Sequence, residues 1–163
     1  MNRYTRFALL IGLAIALPLW AAENLLKSAN KTDSWRLETH EGAKAKMEID
    51  GDAMVFTVTD ADGTDWHAQA IQTGIDLKND GKYKLSFEAK AEPAADIPVN
   101  AGIDVEDWHM VGLTETAQLG KEWKKVEYEF TATDVKANKN RIAFVLGGNK
   151  GKVWIKDCVL TAK

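Results

Sequence analysis

The chain has 163 residues, with 21 Lys and Arg against 24 Asp and Glu and a formal net charge of -3. Such a balance favours solubility and argues against a nucleic-acid or anionic-membrane partner. A single cysteine, Cys158, excludes an intramolecular disulfide, so stability must come from packing or from a metal.

At the amino terminus, Arg3 and Arg6 precede an uncharged apolar run from Phe7 to Trp20, and the small pair Ala21-Ala22 closes it. Charged head, apolar stretch and small-residue exit together describe a secretory signal, and the run is short for a membrane span. A retained anchor is the alternative. No Leu-x-x-Cys lipid-attachment pattern stands at the exit. The expectation is a cleaved signal over residues 1–22 and one domain over residues 23–163. That domain would be secreted or periplasmic and free of the membrane after cleavage.

Beyond the leader, period-two alternation dominates. Met54, Phe56 and Val58 alternate with Val55, Thr57 and Thr59. The same pattern runs through Tyr83, Leu85, Phe87 and Ala89, through Val99, Ala101, Ile103 and Val105, and through Val126, Tyr128 and Phe130. Ile142, Phe144 and Leu146 follow it too, then Val153 and Ile155. These read as half-buried strands. Between them lie clusters able to supply turns, such as Asp50-Gly51-Asp52, Lys78-Asn79-Asp80-Gly81 and the run from Gly147 to Gly151. No segment keeps a helical stripe; Asp134 to Asn140 is charged but too short. About nine or ten short strands at this spacing predict an all-β fold, a β-sandwich or jelly roll of antiparallel sheets.

Motifs that carry catalysis are missing: there is no phosphate-cradling glycine loop, no Gly-x-Ser-x-Gly elbow and no His-Glu-x-x-His. A glycosidase needs two carboxylates held close together, and the acidic residues here scatter through turns and outward strand positions. Lone Cys158 has no second Cys or adjacent His to activate it.

The tripeptide Asp-Trp-His occurs twice, at Asp65-Trp66-His67 and at Asp107-Trp108-His109, with unrelated flanks. With His40, these are the only histidines, and their separations match no ligand spacing that a local turn enforces. The indoles are the better-supplied half of the motif. Trp35, Trp123 and Trp154 are assigned to packing, because aromatics dominate core burial. Trp66 and Trp108 differ in being flanked by Asp and His and followed by Gln69, Gln72 and Thr114. An exposed indole packs on the C–H face of a pyranose, while amides, carboxylates and guanidinium forks take its hydroxyls. The plain alternative is that both are core or rim tryptophans without a ligand.

The order "NLLKSANKTDSWRLE", "DGDAMVFTVT", "WHAQAIQTGIDLKNDGKYKLSFEAKAE", "RIAFVLGG" and "VWIKDCVL" resembles carbohydrate-binding modules of the family 4/9 type, found beside bacterial xylanases and glucanases. Its most specific piece is "IDLKNDGKYKLSFEAKAE", and the likeness runs from about Asn24 to Leu160. The resemblance implies a galactose-binding-like jelly roll of two antiparallel sheets that holds a polysaccharide or oligosaccharide in a concave cleft without catalysis. Trp66 and Gln69 match the W-x-x-Q strand, and Trp108 matches the aromatic of a following hairpin. Where the family places two polar contacts four residues apart, this chain has Arg141 and Val145. A structural calcium is also implied, with Asp157 matching the first Asp of the closing pair, Gly51 matching a carbonyl donor, and Cys158 replacing the second Asp.

The expected ligand set is therefore Trp66 and Trp108 for stacking, Gln69, Gln72 and Arg141 for hydroxyls, and His67, His109 and Asp104 as further contacts. A separate glycan-degrading enzyme is the expected protein partner. Two other readings stay open: a structural or protein-interaction sandwich, which predicts a broad apolar face, and a small glycoside-active enzyme, which predicts an acidic pair in the cleft.

Overall fold

The computed structural model describes residues 23–163, and the expected signal segment lies outside them. Ten strands follow in order: β1 (Arg36–Thr39), β2 (Lys44–Asp50), β3 (Ala53–Asp60), β4 (Ala68–Ile75), β5 (Lys82–Glu92), β6 (Ala95–Ile103), β7 (Met110–Leu119), β8 (Lys124–Thr131), β9 (Asn140–Val145) and β10 (Gly151–Ala162). Short 3-10 turns at Thr32–Ser34 and Asp65–His67 precede β1 and β4.

The strands form two five-stranded antiparallel sheets, ordered β1-β4-β9-β6-β7 and β2-β3-β10-β5-β8. Each sheet turns one set of alternating side chains inward, as the period-two pattern demands. Met54, Phe56, Leu85, Phe87 and Leu160 come from one sheet and Ala70, Val99, Leu113, Ile142 and Phe144 from the other, all at most 1% exposed. Phe144 is central, meeting the edges of Trp35 at 5.8 Å and Phe87 at 5.0 Å. A buried phenyl of this kind contributes roughly 1.5–3 kcal/mol by removal from water. Trp35 is thus a packing residue, and its indole N–H donates to the Ala29 carbonyl.

The other two tryptophans assigned to packing stand elsewhere. Trp154 packs with Ala53 and Val55 on the outer face of the second sheet, outside the main core. Trp123 is 38% exposed, with the ammonium groups of Lys156 and Lys90 at 4.6 and 5.0 Å from its ring. Lysine stems can cover an indole as well as a core can, so an aromatic beside a strand does not reveal its face. The alternation expected through Val105 also stops early: β6 ends at Ile103, and Asp104 opens a loop. Gly112 in β7 has no substitute, because at φ 123° an added Cβ would stand 2.2 Å from the Thr131 carbonyl oxygen.

Candidate functional site

In the first sheet the register aligns outward positions in rows. Glu38, Gln69 and Val145 form one, Arg36, Ile71, Ala143 and Asn100 the next, and Arg141, Gly102 and Met110 the third. Above them lies a groove of about 560 Å³ lined by Glu38, His40, Trp66, Gln69, Asn100, Trp108, Met110, Arg141 and Val145. A concave site with apolar walls and few polar groups is the usual form of a small-ligand site.

Trp66 forms one lip. It sits in the 3-10 turn before β4, half exposed, with its amide donating to the Asp65 carboxylate at 2.7 Å. His40 lies 5.4 Å from its ring and His67 meets it edge-on at 4.2 Å. His67 is buried, with Nδ1 bonded to the Asp62 carboxylate at 2.6 Å. It therefore braces Trp66 from behind. Gln69 donates one N–H to the Trp66 carbonyl at 3.0 Å and presents the rest of its amide to the groove.

Trp108 forms the opposite lip, in the loop between β6 and β7, and is also half exposed. Asp107 and Trp108 both adopt positive φ, at 87° and 49°. Each such conformation costs about 1–3 kcal/mol and persists only where the surroundings enforce it. The enforcing bonds are Ile103 N–H to the His109 carbonyl, Asp104 N–H to the Lys139 carbonyl and Trp108 N–H to the Val105 carbonyl. His109 adds two more, donating from Nε2 to the Asp134 carbonyl and from Nδ1 to the Asp107 carboxylate, both at 2.8 Å. A neutral imidazole has one N–H, so two acceptors favour the charged ring. The Asp134 carbonyl first, then Asp107, accordingly holds its pKa above the ordinary 6.5.

Arg141 reaches the groove floor from β9, with its guanidinium 5.2 Å from the Trp108 ring centre. Burial draws its pKa below the usual guanidinium range, and Glu38 and Asp104 oppose the shift. Among the described residues it makes no ion pair within 4 Å, because both nearby carboxylates are held by Arg36. Asn100 also lines the floor, and its buried Oδ1 has no hydrogen-bond partner among the described residues. The Arg141 fork and the Gln69 amide give the floor donors that suit a ligand with hydroxyls.

The structure thus brings together Trp66, Gln69, Trp108 and Arg141. It separates Gln72, which pairs with inward Ile142, is 2% exposed and bonds the Lys27 backbone. Gln72 cannot reach the groove, because strand neighbours three residues apart point to opposite faces. Asp104 is likewise occupied, its carboxylate gripped by the Arg36 guanidinium, whose pKa that bond raises. Glu38, His40, Asn100 and Met110 were not legible as site residues. Asn100 had the outward place between Val99 and Ala101, but nothing local marked that face as the groove.

Asp157 is exposed, at φ 49°, where a bulge interrupts β10 between Lys156 and Val159. It lines a shallow depression with Asn24, Ser28, Asn30 and Asp52, whereas Gly51, in the adjoining turn, does not. Lys156 lies 3.2 Å from the Asp52 carboxylate. Among the described residues no group of three or more His, Cys, Asp and Glu could hold a metal. An oxygen site here would therefore rest on Asp157, Asp52 and neutral oxygens.

Comparison with known proteins decides the family. The profile of the CBM_4_9 family, carbohydrate binding domain, matches residues 23–152. This chain belongs to that family. Membership supports sugar binding as the role of this module. No curated protein matches the module significantly. Among solved structures it is similar to one described as "CBM4 structure and function", with TM-score 0.71, 22% identity, and 86% of this chain and 95% of that one covered. It is also similar to the second N-terminal cellulose-binding domain of Cellulomonas fimi β-1,4-glucanase C, with TM-score 0.67, 23% identity and coverage of 89% and 97%. A family 29 carbohydrate binding module solved with cellulohexaose gives TM-score 0.56, 18% identity and coverage of 87% and 90%. At these identities the likeness establishes the jelly-roll sandwich fold.

Proposed function

We propose that the module binds a glycan chain of the β-glucan or xylan kind, without catalysis, between Trp66 and Trp108. One observation carries this reading: two half-exposed indoles border a single groove of about 560 Å³ whose floor holds Gln69, Asn100 and Arg141. Each indole offers a flat apolar face to a pyranose, and the floor offers donors and an acceptor to its hydroxyls. Glu38 reaches the groove fixed by Arg36 at 2.8 Å, which suits a hydrogen-bond acceptor of set position. Affinity electrophoresis in β-glucan, xylan and mannan gels tests the reading. Retardation by at least one polymer, lost on combining Trp66→Ala with Trp108→Ala, is the expected result; mobility unaffected by all three sinks it.

The same reading includes export through residues 1–22, action alongside a separate glycan-degrading enzyme, and a structural calcium at Asp157. Calcium in the depression beside Asp157 would tie the bulge of β10 to the opening segment at Asn24 to Asn30, and would stabilise the fold by binding only the native state. A melting temperature that rises with calcium and falls with chelator, and no longer does so in Asp157→Ala, is expected. Identical melting curves in calcium and chelator would remove the metal from the account.

A further inference from the structure

Arg36 and Asp104 are far apart in the sheet. Arg36 lies on edge strand β1, and Asp104 follows β6, with β4 and β9 between them. Three strand spacings amount to roughly 14 Å. Yet the guanidinium takes both carboxylate oxygens, Nη1 bonding Oδ2 at 2.9 Å and Nη2 bonding Oδ1, while Nε faces Glu38 at 2.8 Å. The Asp104 N–H stays bonded to the Lys139 carbonyl beside the start of β9, so the two side chains span the intervening strands.

A second observation marks what lies beneath. Ile71 and Ala143 point outward in the register, away from the core, yet are 0% and 2% exposed. Neither belongs to a core cluster. Arg36 is the cross-strand neighbour of Ile71, so the bridge begins beside this covered row. The covered row adjoins the row of Glu38, Gln69 and Val145 that floors the groove. The bridged loop also carries the two strained residues Asp107 and Trp108.

We propose that Arg36 and Asp104 are positioning residues of the groove, a buckle that ties the start of the loop to edge strand β1 and holds Trp108 in its stacking pose over Arg141. The inference rests on the glycan reading of the groove. A bidentate pair suits this role because its fork fixes direction as well as distance, and Asp104, at 16% side-chain exposure, is shielded from solvent screening. Held in advance, the indole does not have to be ordered when sugar arrives. Loss of the buckle would cost affinity through Trp108 alone, and the Trp66 lip would be untouched.

The test is a double-mutant cycle read by calorimetric titration with cellohexaose and xylohexaose. Asp104→Asn is expected to weaken binding about tenfold in the wild-type background and in Trp66→Ala, and less than twofold in Trp108→Ala. Reversing the pair, Arg36→Asp with Asp104→Arg, is expected to recover most of the loss. A second arm needs no sugar: the indole N–H resonance of Trp108, identified by its disappearance in Trp108→Phe, should shift or broaden in Asp104→Asn while that of Trp66 stays in place. Wild-type affinity in Asp104→Asn, a loss that adds in full to that of Trp108→Ala, or an unmoved Trp108 resonance would overturn the proposal. If the wild type binds neither hexaose, the glycan reading loses its support from these two sugars and the resonance arm alone decides the buckle.

Discussion

Gln72 closes a pair of hydrogen bonds with the backbone of Lys27, accepting from its N–H at 2.9 Å and donating to its carbonyl at 3.3 Å. This side-chain clamp fastens the opening segment to the inward face of β4. Gln69, three residues earlier, faces the groove. The two amides should therefore separate stability from binding. Gln72→Leu leaves two backbone groups without their partner and should cost about 1–3 kcal/mol in denaturant unfolding, with glycan affinity unchanged. Gln69→Leu should lower affinity. Equal affinity losses in both variants would contradict this division.

His109 makes the Trp108 loop sensitive to pH. Its folded pKa lies above the unfolded 6.5, chiefly through the Asp134 carbonyl and then Asp107. Tighter proton binding in the native state means that the clamp contributes fully below 6.5 and is lost as pH rises through the raised value. Thermal stability should accordingly fall more steeply between pH ~5 and ~8 in the wild type than in His109→Gln. Superimposable stability profiles for the two proteins would count against the clamp.

Phe144, between Trp35 and Phe87, should behave as a core residue with no part in the groove. Phe144→Ala should cost about 3–5 kcal/mol, with the cavity adding to the lost burial. Its neighbour Val145 looks the other way, onto the groove floor. Val145→Ala should cost less in urea unfolding and more in glycan affinity than its single-residue displacement would suggest. An unfolding cost for Phe144→Ala below that of Val145→Ala would refute this assignment of faces.

Cys158 is 4% exposed, and burial pushes its thiol up to about 12. The thiolate is the reactive form, so the native protein should leave a thiol-disulfide reagent unconsumed at neutral pH and react with one equivalent once denatured. Rapid labelling of the native protein would show that the final strand opens locally.

Much of the architecture was readable before folding was considered. Alternation at Met54 to Thr59, at Tyr83 to Lys90 and at Ile142 to Leu146 directly encodes strands with one buried face, because side chains on a strand alternate with period two. Five tryptophans within residues 23–163, two of them set among hydrogen-bonding residues, likewise suggested stacking at Trp66 and Trp108. The family resemblance carried Arg141 and Gln69 to the same groove. These signals are local, or they concern the chemistry of one side chain.

Which alternating face meets solvent, and what crosses it, belonged to tertiary structure. Gln69 and Gln72 look interchangeable in the string, yet the pairing of β4 with β9 sends one to the groove and the other to Lys27. Sequence alone assigns both Trp123 and Trp35 to packing, and the fold leaves only Trp35 of the two in the core. Asp104 read as a sugar contact until the loop after β6 brought it to Arg36 across two strands. Residue type and spacing determined that this chain would form a β-sandwich of antiparallel sheets. Long-range strand register decided which side chains share the groove, because contacts between residues distant in sequence are set by how the sheet closes and by no property of either residue alone.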